Sequence, residues 1–412
     1  MGLHFKLMDC NGLCRSCYER RIRKTQGRTG YNLVAMLATL RREAAKETPE
    51  NRRKYSVPCV HGGEPLMFPL ADLRTILKTM HELYGRSSIQ TNGLLISDDH
   101  LAMFKEFNVG VGVSIDGDTV ELNQGRWNDI DQIPRLKDAP LIREALKEME
   151  KTGTRVTLTN MKRARAAGLC VSAIVVLRRY NATPDRLPEL KRFLLRLEAM
   201  GVTSIRTNEV IVFEDEFGDE ELTPTELGRA FVYLADLCFA DPGRAWYPYR
   251  DVVKMLVDGG DSTCTFNGCD IWRTQAETAI MEDGAIGVCL KGGAALDGIQ
   301  ALAAEEPGAE RVHALAMIPR ELGGCKGCEF WGLCGGGCPG SGIDNDWRNR
   351  TRFCEAYKTL FQHVRTRLKG IMPDIALKES CDRTRRWAGG SGHGDAHGDE
   401  HGDKPHGDHT DV

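Results

Sequence analysis

The stretch Cys10-Asn11-Gly12-Leu13-Cys14-Arg15-Ser16-Cys17 places three thiols in one short loop, with a Cys-x3-Cys-x2-Cys spacing. It follows a mostly apolar run, Leu3 to Met8, whose pattern predicts a strand. Three thiolates in one loop can hold three irons of a four-iron cluster and leave the fourth iron open. An open coordination position is typical of a reactive metal site. A zinc site that lacks its fourth ligand, or three unrelated buried thiols, is the alternative at this point.

The size and charge of the chain exclude several classes of protein. Its 412 residues predict two or three domains, and 41% apolar and 27% charged residues are ordinary for a globular protein. The net charge of −3 argues against general attraction to nucleic acid or to an anionic membrane. Lys6 and Asp9 interrupt the only early apolar run, so neither a signal peptide nor a membrane span is predicted. We therefore expect a cytoplasmic protein.

Cysteine is unusually frequent, with 15 residues. Disulfides are disfavoured in the cytoplasm, so clustered cysteines there indicate metal ligands. Beyond the first loop, eight more are grouped in the C-terminal part: Cys264, Cys269, Cys289, Cys325, Cys328, Cys334, Cys338 and Cys354. Eight thiols suit two four-cysteine sites, and two structural zinc sites are an alternative that the spacing leaves open.

Predicted strands and helices alternate about six times between Leu3 and Val212, which indicates a parallel sheet with right-handed crossovers. Two separate helices are predicted after the fourth strand, at 141–151 and 160–167. Ligands of such sheets gather at the carboxyl ends of the strands. Four motifs fall there: the three-cysteine loop, Gly62-Gly63-Glu64-Pro65, Asn92-Gly93 and Ser114-Ile115-Asp116-Gly117. Alternation stops near Asp241, which predicts a domain boundary at about 240–254.

These motifs resemble those of a known family. Cys10-x3-Cys14-x2-Cys17, with Tyr18 next, resembles the signature of radical S-adenosylmethionine (SAM) enzymes. The segment 62–65 resembles their SAM-amino-group motif, and 90–93 and 113–117 resemble their third- and fourth-strand motifs. The C-terminal cysteines resemble a SPASM domain, the auxiliary-cluster domain of peptide-modifying members.

The resemblance implies an α/β fold: a partial (β/α)6 TIM-like barrel followed by a small, loop-rich, Cys-rich auxiliary iron–sulfur cluster domain. We expect the barrel at 1–245, the SPASM domain at 246–372 and a tail at 373–412. The tail is rich in His, Gly and Asp and almost free of apolar residues, so we expect it to be disordered.

The implied cofactors are SAM, a [4Fe–4S] cluster that binds it, and two auxiliary [4Fe–4S] clusters. Cys10, Cys14 and Cys17 would hold the first cluster. By family analogy, the first auxiliary cluster takes Cys264, Cys269, Cys289 and Cys338, with Cys264 the least secure. The second takes Cys325, Cys328, Cys334 and Cys354. The residues expected to contact SAM are Gly62, Gly63, Glu64, Pro65, Asn92, Ser114 and Arg126.

The resemblance implies an oxidoreductase that cleaves SAM to a 5′-deoxyadenosyl radical and abstracts a substrate hydrogen. The favoured substrate is a side chain of a ribosomally made peptide or of a protein. The alternatives are a dehydrogenase or epimerase of a small molecule such as an aminosugar, and an iron–sulfur electron-transfer protein. The stretch 118–140, with Trp127, Asp129 and Asp131, is predicted to shape the substrate pocket. No catalytic acid or base is identified, although Glu209 and Asp215 lie near the end of the sixth strand.

We expect a flavodoxin- or ferredoxin-type electron donor, and neither nucleic acid nor a membrane as a partner. Cys10 lies too near the start for a leader-binding domain to precede the barrel, which suggests a separate leader-binding partner.

Overall fold

A computed structural model describes residues 2–7, 9–12, 14–19, 30–50, 57–126, 139–213, 215–260, 264–266, 269, 277–287 and 310–380. Two predicted segments lie partly outside the described residues. These are the tail 373–412, from residue 381 onward, and the pocket-forming stretch 118–140, from 127 to 138.

Six parallel strands form the centre of the fold, and each pairs with the next one along the chain. They are β1 (Gly2–Lys6), β2 (Cys59–His61), β3 (Ser87–Thr91), β4 (Val109–Ser114), β5 (Val171–Leu177) and β6 (Ser204–Glu209). All six carboxyl ends therefore lie on one edge of the sheet. This arrangement confirms the predicted α/β class with a parallel sheet.

Helices lie between these strands in the sequence and continue after β6. They are α1 (Leu33–Ala44), α2 (Leu70–Tyr84), α3 (Asp98–Glu106), α4 (Ala139–Ala166), α5 (Arg179–Ala182), α6 (Leu187–Ala199), α7 (Pro224–Ala240), α8 (Tyr249–Asp258), α9 (Glu310–Met317), α10 (Trp331–Cys334) and α11 (Cys354–Ile371). The apolar stripe of α2 shows the pattern: Leu73, Ile76, Leu77 and Met80 are buried, and the helix ends at Gly85 in the left-handed conformation. No described helix is long and apolar enough to cross a membrane.

The prediction of two helices at 141–151 and 160–167 is wrong, because α4 is one continuous helix. Gly153 and the threonines after it have low helix propensity, which locally disfavours one continuous helix. Thr154, Thr157, Leu158 and Met161 are buried in the structure. Their packing against neighbouring elements outweighs the weak local preference.

The two faces of the sheet differ in how deeply their side chains are buried. In β5, Val171, Ala173, Val175 and Leu177 are buried, whereas the alternate residues are partly exposed. Strands β3 and β6 alternate in the same way, with residues such as Gln90 on the partly exposed face. The buried face packs in the main hydrophobic core, and the other face remains accessible.

Strands from the C-terminal part extend the same sheet at both edges. Strand β7 (Trp246–Tyr247) pairs parallel with β6, and β8 (Glu277–Ile280) pairs parallel with β1. Strand β9 (Ile286–Gly287) then pairs antiparallel with β8. The sheet thus crosses the predicted boundary near residue 245, and the division into domains stays a prediction.

Candidate active site

The three-cysteine loop leaves the carboxyl end of β1. Cys10, Cys14 and Cys17 are all partly buried. The sulfur atoms of Cys10 and Cys14 lie 3.6 and 3.9 Å from the position that a β-carbon on Gly12 would take. The two sulfurs therefore lie around the same space, next to Gly12. This cradle fits the expected iron–sulfur cluster.

The turn after β2 packs directly on that loop. Gly63 has a φ of +41°, and a β-carbon on it would lie 2.1 Å from the carbonyl oxygen of Asp9. The backbone N–H of Glu64 donates to the same oxygen at 2.8 Å. The N–H of Gly63 donates to the Glu19 carboxylate at 2.9 Å. Only glycine permits this close approach, so the second motif supports the first.

Glu64 is fully buried and joins this turn to the end of β3. Its carboxylate accepts hydrogen bonds from the Thr91 hydroxyl at 2.6 Å and the Asn92 N–H at 2.7 Å. It also accepts from the N–H of Leu66, within the 3-10 turn Pro65–Met67. Burial raises the pKa of the Glu64 carboxyl, and these hydrogen bonds oppose that shift. Glu64 and Pro65 thus support, from the buried side, the edge of the sheet that carries the cysteine loop and the motifs 62–65, 90–93 and 113–117. We call this edge the rim.

Asn92 and Ser114 stand at the ends of the next two strands. The Asn92 side-chain amide donates to the Asn11 side chain at 2.8 Å, so it touches the cysteine loop. The Ser114 hydroxyl accepts a hydrogen bond from Gln90 at 2.8 Å. The structure therefore brings the third and fourth motifs to the edge that carries the cysteines.

Arg126 is buried beside the loop. Its guanidinium donates to Asp116 at 2.9 Å. Burial alone would lower the pKa of Arg126, but the charges of Asp116, Cys14 and Cys17 raise it above the usual value. Arg126 is thus a permanent cation next to two of the three thiols.

Two functional candidates, Arg178 and Glu220, were missed by the sequence analysis. Both are fully buried, and Arg178 donates to Glu220 at 3.0 Å and lies 3.3 Å from Asp116. It also donates to the carbonyl of Gln124 at 2.7 Å. With Arg126 they form a buried network of two cations and two carboxylates, which anchors the residues after β4. One signal was available, since Arg178 directly follows the apolar strand β5 at its carboxyl end.

Four C-terminal thiols line one small cavity. They belong to the set expected for the second auxiliary cluster: Cys325, Cys328, Cys334 and Cys354. Burial, followed by the charges of Cys354 and Cys328, raises the pKa of the Cys325 thiol to about 12. Burial likewise raises the pKa of Cys334. A metal centre would have to displace these protons, because the thiolate is the ligand.

The set expected for the first auxiliary cluster is described only in part. Cys269 and Cys338 are partly buried, the side chain of Cys264 is not described, and Cys289 lies outside the described residues. Buried Arg311 donates to the carbonyl of Cys269 at 3.2 Å.

Among the residues that the structure describes, no three candidate ligands converge as those of a single metal ion would. The thiols of a four-iron cluster bind separate irons.

The remaining predicted residues divide into two groups. Glu209 ends β6 and is buried, and its charge helps raise the pKa of the Tyr357 hydroxyl, which burial raises most. The side chain of Asp215, and all of Trp127, Asp129 and Asp131, fall outside the described residues. The pocket-forming role of the segment 118–140 therefore stays a prediction.

The fold and the rim motifs together define a class of enzyme. Residues 8–194 match the Radical SAM superfamily. They form a radical SAM domain, and the chain is a radical SAM enzyme, as the motifs predicted. Radical SAM enzymes use a [4Fe–4S] cluster and SAM.

The chain is similar to anaerobic sulfatase-maturating enzymes. It is 22% identical over 391 residues to the cysteine-type enzyme of Clostridium novyi (strain NT), which covers 90% of this chain and 96% of that protein. It is 44% identical over 62 residues to the serine-type enzyme of Bacteroides thetaiotaomicron, covering 14% of this chain and 15% of that protein.

A solved structure has the same fold. Native anSMEcpe with bound AdoMet and Cp18Cys peptide matches with a TM-score of 0.65 at 17% identity, covering 91% of this chain and 100% of that chain.

Proposed function

We propose that this enzyme uses SAM to oxidise a side chain of a peptide or protein. The observation that carries the proposal is the convergence of the three-cysteine loop, the 62–65 turn, Asn92 and Arg126 on one edge of the sheet. The similarity to sulfatase-maturating enzymes along 90% of the chain supports a peptide or protein substrate.

In this proposal the first cluster is held by Cys10, Cys14 and Cys17. When bound, it supplies the electron that splits SAM into methionine and the 5′-deoxyadenosyl radical that abstracts hydrogen. The chain's own residues position the reactants. The backbone of Gly62 and Gly63 would take the amino group of SAM, and Ser114 and the cationic Arg126 its ribose and carboxylate. Arg126 suits an anionic group because its charge is already close to the loop.

The C-terminal thiols would hold two auxiliary clusters, which suits a reaction that removes an electron after hydrogen abstraction. Cys325 and Cys334 line the enclosed cavity of the second set and give the sharpest test. In a Cys325→Ala or Cys334→Ala variant, we expect SAM cleavage to persist while product formation is lost. Unchanged product formation would exclude an oxidising role for that cluster.

We infer that the modified residue is a cysteine or serine, because the similar proteins are cysteine-type and serine-type sulfatase-maturating enzymes. The reaction would take place in the cytoplasm, where reduced thiols persist. A flavodoxin or ferredoxin would donate the electron, and a separate partner would bind the leader of a ribosomal precursor.

The deciding experiment is an anaerobic assay of the reconstituted full chain with SAM, dithionite and sulfatase-derived peptides that carry Cys, Ser or Ala at one position. We expect 5′-deoxyadenosine together with a mass change in the Cys or Ser peptide, and neither mass change nor stimulated cleavage with Ala. If SAM is cleaved but no peptide is modified, the substrate proposal is wrong and a small-molecule substrate is favoured. If SAM is not cleaved, the enzymatic assignment itself fails.

A further inference from the structure

The cavity lined by Cys325, Cys328, Cys334 and Cys354 has a cationic wall. Arg350 and Lys358 line it together with the thiols. Arg320 lies close enough for its charge to interact with those of Cys354, Cys328 and Cys325. Reduction of an iron–sulfur cluster adds one negative charge, so nearby cations favour the reduced form.

Two of these three cations already have a carboxylate partner. Glu355 lies 2.5 Å from Arg320 and 3.5 Å from Lys358. Their effect on the cavity is therefore partly neutralised.

Arg350 differs in this respect. Among the described residues it has no carboxylate partner. Its guanidinium donates to the carbonyl of Arg320 at 2.6 Å, and its backbone N–H donates to Gly323 at 2.9 Å. The first bond holds the side chain at the cavity and the second holds the backbone of Arg350, and neither cancels the charge of the guanidinium.

The donors of Arg350 also face the thiol site. Arg350 and Cys354 both line the cavity, and the charge of Arg350 favours the thiolate of Cys354. The Nε of Arg350 is buried and has no hydrogen-bond partner among the described residues. A buried donor without an acceptor is costly, and a sulfur atom of a cluster in this cavity would supply one.

We propose that Arg350 is a positioning residue that raises the reduction potential of the second auxiliary cluster through its unneutralised charge and its N–H donation to sulfur. The inference deepens the proposed function, since it rests on a cluster at these four thiols. A raised potential makes this cluster a better acceptor of an electron than one surrounded only by thiolates.

The test is a redox titration of the full chain followed by electron paramagnetic resonance, without SAM or peptide. A Cys10→Ala/Cys14→Ala/Cys17→Ala background removes the first cluster, and the Cys325→Ala variant identifies which signal belongs to the second set. We compare Arg350→Gln and Arg350→Lys with Arg348→Gln. Arg348 is an exposed arginine two residues away that pairs with Asp346.

We expect Arg350→Gln to lower the ratio of reduced to oxidised second cluster about tenfold at a fixed potential, which is about 59 mV for a one-electron couple. Arg350→Lys and Arg348→Gln should stay close to the parent protein. An unchanged midpoint in iron-loaded Arg350→Gln, or an equal shift in Arg348→Gln, would overturn the proposal.

Iron and sulfide are counted for every variant. Should Arg350→Gln not load, Arg350→Met takes its place with the same expected shift. If neither loads while Arg350→Lys does, Arg350 is purely structural and the tuning role is excluded. These outcomes are independent of the peptide assay, because neither SAM cleavage nor peptide modification is measured.

Discussion

Glu64 accepts a 2.7 Å hydrogen bond from the backbone N–H of Asn92, which joins the turn after β2 to the end of β3. The same carboxylate accepts from the Thr91 hydroxyl. Asn92 in turn donates to Asn11 in the cysteine loop. One buried acid thus sets the relative position of three rim motifs.

The Glu64→Gln variant tests this role. The amide has one acceptor oxygen where the carboxylate has two, so a buried N–H or hydroxyl loses its partner. We expect a loss of about 1–3 kcal/mol in the free energy of unfolding. Anaerobic denaturation of the metal-free chain measures it. Glu82→Gln, an exposed glutamate on α2, is the control and should change stability little. Equal stability of the two variants would contradict the inferred role.

Gly63 should not tolerate a side chain. A β-carbon there meets the Asp9 carbonyl at 2.1 Å, and the φ of +41° disfavours any L-residue. We expect Gly63→Ala to displace the cysteine loop and to lose the first cluster's share of iron and sulfide. Gly110→Ala is the matched control, because its β-carbon would have only ordinary contacts at 3.9 Å and beyond. Full iron content in Gly63→Ala would show that the loop does not depend on this contact.

Arg126 should govern SAM affinity. Loss of a charge-assisted hydrogen bond costs about 1.5–3 kcal/mol, so we expect Arg126→Gln to weaken SAM binding roughly 10- to 100-fold. Calorimetric titration of the anaerobic, iron-loaded protein measures it. Arg196→Gln removes a surface pair with Asp118 and should leave SAM affinity unchanged. Equal affinities for the two variants would rule out the Arg126 contact.

Disruption of the buried ion pair between Arg178 and Glu220 should destabilise the protein. Arg178→Met leaves the Glu220 carboxylate buried without its cation, which we expect to cost about 3–5 kcal/mol. Burial already raises the pKa of Glu220 against the opposing charge of Arg178. The double variant Arg178→Met/Glu220→Gln removes both charges and should recover part of the loss. A double-mutant cycle in denaturant decides, and strictly additive effects would argue against coupling.

His61 predicts a specific dependence of stability on pH. Burial, aided by the charges of His4 and Lys6, lowers the pKa of His61 from 6.5 to about 3. As pH falls, the unfolded chain takes up a proton at His61 near pH 6.5, whereas the folded chain does so only near pH 3. The contribution of His61 to stability is therefore lost as pH falls through this range. We expect His61→Gln to flatten the pH profile of unfolding in that window. His313→Gln, an exposed histidine on α9, should leave the profile unchanged. An identical slope in both variants would contradict the shift.

Much of the rim could be predicted from local sequence. Gly62, Gly63 and Asn92 each follow a strand-like run, Ser114 ends one, and parallel strands place their carboxyl ends on one edge. The pattern of strands in the sequence was therefore enough to predict that these residues lie near Cys10. The pairing of β8 with β1 was not predictable, because it joins segments separated by most of the chain.

The buried ion pairs of the rim could not be predicted from the sequence either. Arg178 and Glu220 are far apart in sequence and look like ordinary surface residues, and only the packed rim buries them together. The continuous helix α4 shows the same limit, since the burial of Thr154 and Thr157 outweighs a local signal for a break.

The sequence by itself determined the chemistry of the ligands: three thiols in one loop, a glycine pair that admits close backbone contact, and a second group of cysteines. These features depend on residue type and on spacing within a few residues, which covalent geometry limits. Tertiary structure decided which distant groups meet. It placed Arg126 beside Cys14 and Arg350 beside Cys325, because the path of the chain and the cost of burying unpaired charge select those partners.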